Sequence, residues 1–248
     1  MNTGNTECFG RGRMRRVTSA VLAIVALFGL PKTLIAAEET KPRIGIIGSG
    51  KVGGGIGKVW ASAGYEVMFS SRNLEHDQAI AAALGSNAYA GTSSEAAAFG
   101  DVLLFAVPYH ALPKLGEQLT DLIKGKVLID ACNPFPSRDG EIAVWAKEKG
   151  VGVASRELLP DARIVRAFNA VGAARMASGF EAPERIGMPI ASDDDEAIKI
   201  ASRLIRDMGF EPVPIGDLER GRYLVPYTSP LSGELSPDKI RSIAAELE

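Results

Sequence analysis

The sequence predicts an α/β fold: a doubly wound, mostly parallel sheet followed by a small C-terminal helical extension. Three observations support this prediction. From Lys41 onward, short apolar runs alternate with segments of helical periodicity. The runs are continuously apolar, which is typical of parallel strands buried on both faces. A glycine-rich segment, Gly48–Gly53, joins the first run to a helical segment. Together these patterns favour a sheet with helices on both sides.

The sequence divides into a leader at residues 1–37, the sheet domain at 38–217 and the extension at 218–248. Eight strands are predicted: Ile44–Ile47, Val67–Ser70, Ala88–Ala90, Val102–Val107, Val127–Ala131, Ile164–Phe168, Ile186–Ala191 and Glu211–Pro214. Helices are predicted at Gly53–Ala63, Asp77–Leu84, Ser94–Phe99, Ala111–Leu122, Glu141–Lys149, Ala173–Gly179, Asp194–Met208, Leu218–Tyr227 and Asp238–Leu247. With right-handed crossovers, we expect every strand to end at one ligand-binding edge.

The first 37 residues are predicted to be a secretory leader. A basic head that ends at Arg16 precedes the uncharged apolar run Val17–Leu30, and small residues follow up to Ala37. The run is shorter than the about 20 residues of a spanning helix. We expect cleavage after Ala36 or Ala37 and export, to the periplasm. The alternatives are a membrane anchor formed by an uncleaved leader, and a cytoplasmic protein.

Charge and cysteine content narrow the function classes. Residues 1–37 carry five basic residues and one acidic residue, so the remainder has 23 basic and 29 acidic residues, a net charge of −6. An acidic body argues against general nucleic-acid binding. Cys8 lies in the leader, which leaves Cys132 as the only cysteine of the body and excludes an internal disulfide there. We expect Cys132 to be a small buried hydrophobic residue rather than a nucleophile.

The glycine-rich segment predicts a dinucleotide site. Gly48 allows a sharp turn after the strand, Gly50 lets the backbone approach a pyrophosphate, and Gly53 allows close packing of helix and strand. The following helix directs its N–H groups and positive dipole end at the phosphates. Lys51 is followed by Val52 instead of Ser or Thr, so nucleotide hydrolysis at a P-loop is not expected.

The end of the second strand predicts NADP as the cofactor. An NAD site usually places a carboxylate there, whereas an NADP site offers hydroxyls and an arginine to the 2′-phosphate. Ser70, Ser71 and Arg72 occupy this position, and no carboxylate lies between Ser70 and Glu75. A charge-assisted contact between arginine and phosphate is worth about 1.5–3 kcal/mol. The alternative is that Arg72 is a solvated loop residue.

Polar and aromatic residues follow three later strands. Tyr109 and His110 could contact a ring or a phosphate, or be ordinary solvent-edge residues. The Asn133 amide could bind ribose or a nicotinamide carboxamide, or simply begin an Asn-Pro turn. Phe168 could face the ligand or belong to the core. No partner can be assigned to either histidine, and no cluster has metal-ligand spacing; the acidic run Asp193–Glu196 is predicted to begin a helix.

No acid–base motif for alcohol oxidation is present, since a Tyr-x-x-x-Lys pattern is missing from the sequence. Hydride transfer between two ring systems needs stacking and distance more than a proton donor, because the rings hold the charge.

Taken in order, these segments resemble the NADP reductases that use the deazaflavin coenzyme F-420, a family with a Rossmann fold. The NADPH domain of six-transmembrane metalloreductases is similar too. The matching segments are Gly48–Gly53, Ser70–Asn73, Ala106–Pro108, Gly125–Pro134, Ile164–Asn169, Ala191–Asp195, Gly209–Val213 and Arg220–Pro226.

The resemblance implies a role for each matching position. Gly50, Lys51 and Val52 would line the pyrophosphate, and Ser71 and Arg72 would hold the 2′-phosphate. Val107 and Pro108 would flank the nicotinamide, and Phe168 and Asn169 would lie near the second ring system. The full set of expected cofactor-binding residues is Gly48, Ser49, Gly50, Lys51, Val52, Gly53, Ser71, Arg72, Asn73, Val107, Pro108, Asn133, Phe168 and Asn169.

The sequence therefore predicts an NADP-dependent oxidoreductase that passes hydride between nicotinamide and a deazaflavin or flavin. One alternative is a non-catalytic NADP-binding module. The other is a small-molecule dehydrogenase whose acid is an unassigned residue such as Tyr109 or His110. We expect no nucleic-acid partner and no membrane span after leader cleavage, and the resemblance makes a homodimer plausible.

Overall fold

A single eight-stranded sheet organises the computed structural model, which describes residues 40–178 and 185–247. The predicted leader lies outside these residues. The strands are β1 Ile44–Ile47, β2 Val67–Ser70, β3 Ala88–Ala90, β4 Val102–Phe105, β5 Val127–Asp130, β6 Arg163–Arg166, β7 Gly187–Ala191 and β8 Glu211–Gly216. Their order across the sheet is β3-β2-β1-β4-β5-β6-β7-β8.

The last two strands run against the first six. Neighbours from β3 to β6 pair in parallel, but β6 and β7 pair antiparallel through Arg166 and Ala191, and β8 is parallel to β7. Our expectation that every strand ends at one edge is therefore wrong for β7 and β8. Apolar periodicity records burial but not strand direction, so the reversal has no signature in the sequence.

Ten helices accompany the sheet in the described residues: α1 Lys51–Ser62, α2 Leu74–Leu84, α3 Ser93–Phe99, α4 Leu112–Ile123, α5 Pro136–Asp139, α6 Glu141–Lys149, α7 Val151–Leu158, α8 Ala173–Ser178, α9 Asp195–Arg206 and α10 Pro237–Glu246. Short 3-10 turns occur at Tyr109–Ala111 and Arg220–Tyr223. The sequence did not predict α5 or α7, the second of which follows α6 directly after Gly150 (φ 91°). None of the described helices is both long and apolar enough to cross a membrane.

The predicted helix Leu218–Tyr227 is wrong. Only the 3-10 turn Arg220–Tyr223 forms there. There the Leu224 amide donates to the Gly221 carbonyl three residues back, and the buried guanidinium of Arg166 donates to the carbonyls of both Gly221 and Leu224. The final helix is present as α10, which packs on β7 and β8.

Alternating strand residues place two apolar cores on opposite faces of the sheet. In β1, Ile44 and Ile46 belong to the core that contains Trp60, and Ile47 belongs to the core on the other face. A smaller core lies between α10 and the β7–β8 pair. The sheet is thus covered on both sides, and the carboxyl ends of β1 to β6 share one edge.

Candidate functional site

The glycine-rich turn lies between β1 and α1 at this edge. Gly48 has φ 102°, and a Cβ atom there would lie 2.6 Å from the Ala106 carbonyl oxygen. A Cβ at Gly53 would lie 2.1 Å from the Gly48 oxygen. The amides of Gly48 and Ser49 donate to the Ser70 carbonyl at 2.9 and 3.0 Å, which fixes the turn against the end of β2. These two glycines are required by the turn and by the close approach of α1.

The N-terminus of α1 is open toward the edge. Its N-cap, Gly50, is exposed and supplies no side-chain cap, and a Cβ built there would meet nothing within 4 Å. The first N–H groups of the helix therefore lack a side-chain acceptor and, with the exposed Lys51 beside them, suit an anionic group.

One cavity, of about 580 Å³, lies on the outer side of this turn between α1, α2 and α8. A second, which we call the cationic cavity, has a volume of about 530 Å³ and lies beyond the ends of β1, β2 and β4. Its lining includes Ser71, Arg72, Val107, Pro108, His110 and Lys114. Arg72 is exposed, and no carboxylate among the described residues pairs with it. Two cations thus face a cavity beside the α1 N-terminus.

A buried carboxylate supports the wall of the cationic cavity. Asp77, in the first turns of α2, is fully buried and accepts hydrogen bonds from the hydroxyls of Ser49 and Ser71, the latter at 2.9 and 3.1 Å. Asn73 caps α2 by accepting from the His76 amide at 3.1 Å. The hydroxyls of Ser49 and Ser71 therefore donate their protons to Asp77, and the side-chain oxygen of Asn73 accepts from the first turn of α2.

His110 has a partner that the sequence did not reveal. Its Nδ1 lies 2.8 Å from Oδ1 of Asp139, whose side chain is buried. Burial would raise the pKa of Asp139, but hydrogen bonds from Arg138, the Phe135 amide and His110 outweigh it and hold that pKa well below its ordinary value. The carboxylate fixes the imidazole at the cationic cavity.

Tyr109 does not face the edge. It is fully buried, and its hydroxyl lies 3.1 Å from Ser155 Oγ. Burial raises the pKa of Tyr109. Both readings that the sequence allowed for Tyr109, a ligand contact and a solvent-edge residue, are wrong.

The third cavity, which we call the amide cavity, has a volume of about 430 Å³ and lies beyond β5 and β6. It is lined by residues from α1, α8, both strand ends and the C-terminal segment, including Val52, Asn133, Phe168, Asn169, Met176 and Tyr227. Phe168 has φ 69° and packs edge-on against Trp60, with centroids 6.0 Å apart. The left-handed backbone at a buried phenylalanine is a costly conformation, of the kind that clusters at ligand sites.

A buried arginine joins the strand ends to the C-terminal segment. Arg166, at the end of β6, is fully buried and donates to Asp130 Oδ2 at 2.8 Å and to the Cys132 carbonyl at 2.9 Å. It also donates to the carbonyls of Gly221 and Leu224 at 3.3 and 2.9 Å. Because every donor finds an acceptor, the guanidinium is held in one orientation.

The structure therefore divides the predicted site residues between two cavities. Ser71, Arg72, Val107 and Pro108 line the cationic cavity with Gly48 and Gly50, whereas Val52, Asn133, Phe168 and Asn169 line the amide cavity. Ser49 and Lys51 line the outer cavity, and Gly53 is packed beneath the turn. Val107 and Pro108, expected beside the nicotinamide, lie with the phosphate-binding candidates, and their role stays a prediction.

Comparison with known proteins now gives the family. The family model for coenzyme F420-dependent NADP oxidoreductases matches residues 43–134. The F420-dependent NADP reductase of Methanothermobacter marburgensis is 31% identical over 210 residues, which cover 79% of this chain and 92% of that protein. The chain belongs to this family. As a member of the family, it is an NADP-dependent oxidoreductase.

A second group of relatives is longer. The metalloreductase STEAP3 of Rattus norvegicus is 28% identical over 193 residues, which cover 77% of this chain but only 37% of that protein. Among solved structures, a hypothetical protein of Sinorhizobium meliloti matches with a TM-score of 0.64 and 24% identity over 77% of this chain and 92% of its own. That likeness supports the fold alone.

Proposed function

We propose that this member of the family transfers hydride between NADP(H) and a deazaflavin or flavin. The observation that carries the proposal is the placement of two different cavities at one glycine-rich turn. The cationic cavity contains Arg72 and Lys114, and the amide cavity contains an aromatic ring and two amides. A cavity lined by cations and a cavity lined by an aromatic ring and amides thus lie along one sheet edge, which is the arrangement expected for a dinucleotide that carries its ring to a second ligand.

Each part of the site has a physical role in this proposal. The α1 N-terminus and the turn bind the pyrophosphate. Arg72 and Lys114 bind the 2′-phosphate, which discriminates NADP from NAD. When bound, the nicotinamide supplies or receives the hydride, and the amide cavity brings the two rings into stacking distance. The relative from Methanothermobacter marburgensis is an F420-dependent NADP reductase, which supports a deazaflavin acceptor.

The small-molecule dehydrogenase is the weaker alternative. Tyr109 is buried away from both cavities, and His110 lines the cationic cavity instead of the amide cavity. Neither residue is placed to protonate a substrate beside Phe168. The non-catalytic NADP-binding module remains the competing hypothesis, because it needs only the phosphate half of the site.

The acceptor is tested with purified protein and NADPH. Oxidised coenzyme F420, FMN and FAD are added in turn, and loss of the reduced nicotinamide absorbance is followed. We expect turnover with at least one of the three. Tight NADPH binding without turnover would favour the binding module.

A variant that fills the amide cavity sharpens this test. A Cβ at Gly172, which lines the cavity, would meet nothing within 4 Å, so Gly172→Phe should occupy the space without disturbing the backbone. We expect loss of acceptor reduction and unchanged affinity for 2′,5′-ADP, which occupies only the cationic side. Ala83→Phe, on an exposed position of α2, is the matched control.

We also propose that residues 1–37 direct export and are removed, and that the mature protein is a homodimer. Mass spectrometry of the purified native protein measures its N-terminus, and light scattering measures its mass. A soluble cytoplasmic protein with an intact Met1 would refute export, and a monomer mass would refute the dimer.

A further inference from the structure

One polar atom in the amide cavity lacks a hydrogen-bond partner. Asn169 is 2% exposed, and its Oδ1 is one of two buried side-chain N or O atoms without a partner in the described residues. Leaving a buried acceptor unpaired is costly, so such an atom calls for an explanation. Asn169 lines the cavity directly after the left-handed Phe168.

The orientation of the Asn169 amide is set by its neighbours. Its Nδ2 donates to Asn133 Oδ1 at 3.1 Å and to the Cys132 carbonyl at 3.4 Å. A flipped amide would place its oxygen against these two oxygens, which excludes the flip. Oδ1 is therefore the atom of Asn169 that is left without a partner.

Arg166 sets the orientation of Asn133 in the same way. Its Nη2 donates to Asn133 Oδ1 at 3.3 Å, so this oxygen accepts from both Arg166 and Asn169. The Asn133 Nδ2 group has no partner among the described residues, and Asn133 lines the amide cavity. The cationic side chain thus leaves Asn133 with a donor for the ligand and Asn169 with an acceptor.

We infer that Asn133 and Asn169 recognise a planar amide or cyclic imide in the amide cavity. A ligand carbonyl accepts from Asn133 Nδ2, and the adjacent ligand N–H donates to Asn169 Oδ1. Both the carboxamide of nicotinamide and the N–H/C=O edge of a deazaflavin or flavin pyrimidine ring have this chemistry. The inference rests on the proposed function and identifies the ligand group that the two asparagines bind.

Ligand pairs that differ in the N–H alone test the inference. NADP⁺ is compared with its acetylpyridine analogue, in which methyl replaces the amide nitrogen, and FMN is compared with 3-methyl-FMN. Dissociation constants are measured by calorimetry, without turnover. We expect about a tenfold weaker affinity for the modified member of one pair, since the acceptor on Asn169 is then left unpaired. The pair that discriminates shows which ligand provides the group.

Variants assign the discrimination to the two asparagines. Asn169→Ala should bind both members of the discriminating pair equally. Asn133→Asp keeps an oxygen for Arg166 but loses the donor, so it should weaken both members about tenfold and preserve the preference. Asn87→Ala, which removes an amide that donates to Ala61 and Tyr65 outside the cavity, is the matched control and should change neither value.

Equal affinities within both pairs in the unaltered protein would overturn the inference, as would discrimination that survives Asn169→Ala. If NADPH-dependent reduction of FMN or deazaflavin continues in that case, the proposed function stands and only the amide readout is wrong. Discrimination between the NADP⁺ analogues without any acceptor turnover would support the readout and refute the hydride-transfer proposal.

Discussion

The substitution Arg166→Met tests whether the buried guanidinium holds the carboxyl ends of β5 and β6 to the C-terminal segment. Both Arg166 and its partner Asp130 are fully buried. Removing the cation leaves the Asp130 carboxylate buried without a counter-charge, and breaking a buried pair in this way typically costs about 3–5 kcal/mol. In addition, the Leu224 carbonyl loses its donor and the Gly221 carbonyl loses one of two donors. We therefore expect the free energy of unfolding to fall by about 3–5 kcal/mol.

Urea unfolding followed by circular dichroism measures this loss, with the slope checked for two-state behaviour. Arg163→Met is the matched control, because Arg163 begins the same strand but its pair with Asp194 is partly exposed. An exposed pair contributes about 0–1 kcal/mol. The double variant Asp130→Asn/Arg166→Met removes both charges and should recover part of the loss.

The reasoning would be refuted if Arg166→Met cost no more than Arg163→Met, or if the effects of Asp130→Asn and Arg166→Met simply added. Domain stabilities lie at about 5–15 kcal/mol, so Arg166→Met could leave too little folded protein to measure. In that case the double variant, which leaves no unpaired buried charge, still provides the comparison with Arg163→Met.

Three further predictions concern the phosphate site, the glycine turn and acid stability. Arg72→Ala should weaken NADPH binding about 10- to 100-fold and NADH binding less than about twofold, as measured by calorimetry. Equal losses for the two cofactors would contradict the 2′-phosphate role. The control is Arg241→Ala, which removes an exposed arginine on α10. Gly53→Ala should lower both the thermal midpoint and NADPH affinity, because its Cβ would meet backbone at 2.1 Å; an unchanged midpoint would contradict the packing argument. Hydrogen bonds from Arg163 lower the pKa of the Asp194 carboxyl to about 2. Its contribution to the free energy of unfolding is therefore present above the unfolded-state pKa and is lost as pH falls toward 2. Asp194→Asn keeps the helix cap and should flatten this acid dependence in urea titrations; an unchanged dependence would contradict the assignment to Asp194.

The sequence was sufficient for the features that depend on neighbouring residues. The glycine spacing at Gly48–Gly53 predicted a turn that joins a strand to a helix, which are β1 and α1. The apolar runs predicted all eight strands, with ends that differ from the observed ends by a few residues at most. Confirmed too is the burial of Cys132, which is 1% exposed. Local pattern and local chemistry coincide at these positions, so no knowledge of distant contacts was needed.

The sequence was insufficient where contacts join distant residues. Asp77 lies 28 residues from Ser49, and Asp139 lies 29 residues from His110. Arg166 was visible only as a polar residue in an apolar strand, although a charge in that setting is a signal for a buried partner. Lys114 lines the cationic cavity with Arg72, although it belongs to α4 and Arg72 follows β2. The sequence did not show that α4 lies beside the end of β2, so Lys114 was not recognised as a candidate.

The position of Cys132 has a practical consequence. Its amide donates to Asp130 and its carbonyl accepts from Arg166, so the thiol sits within the network that joins the strand ends. Burial raises the pKa of this thiol well above its ordinary value, which keeps it unreactive in the folded protein. Apart from Cys8, it is the only cysteine in the sequence. The rate at which iodoacetamide alkylates Cys132 therefore reports how often this end of the sheet opens, and a bound ligand that closes the edge should slow it.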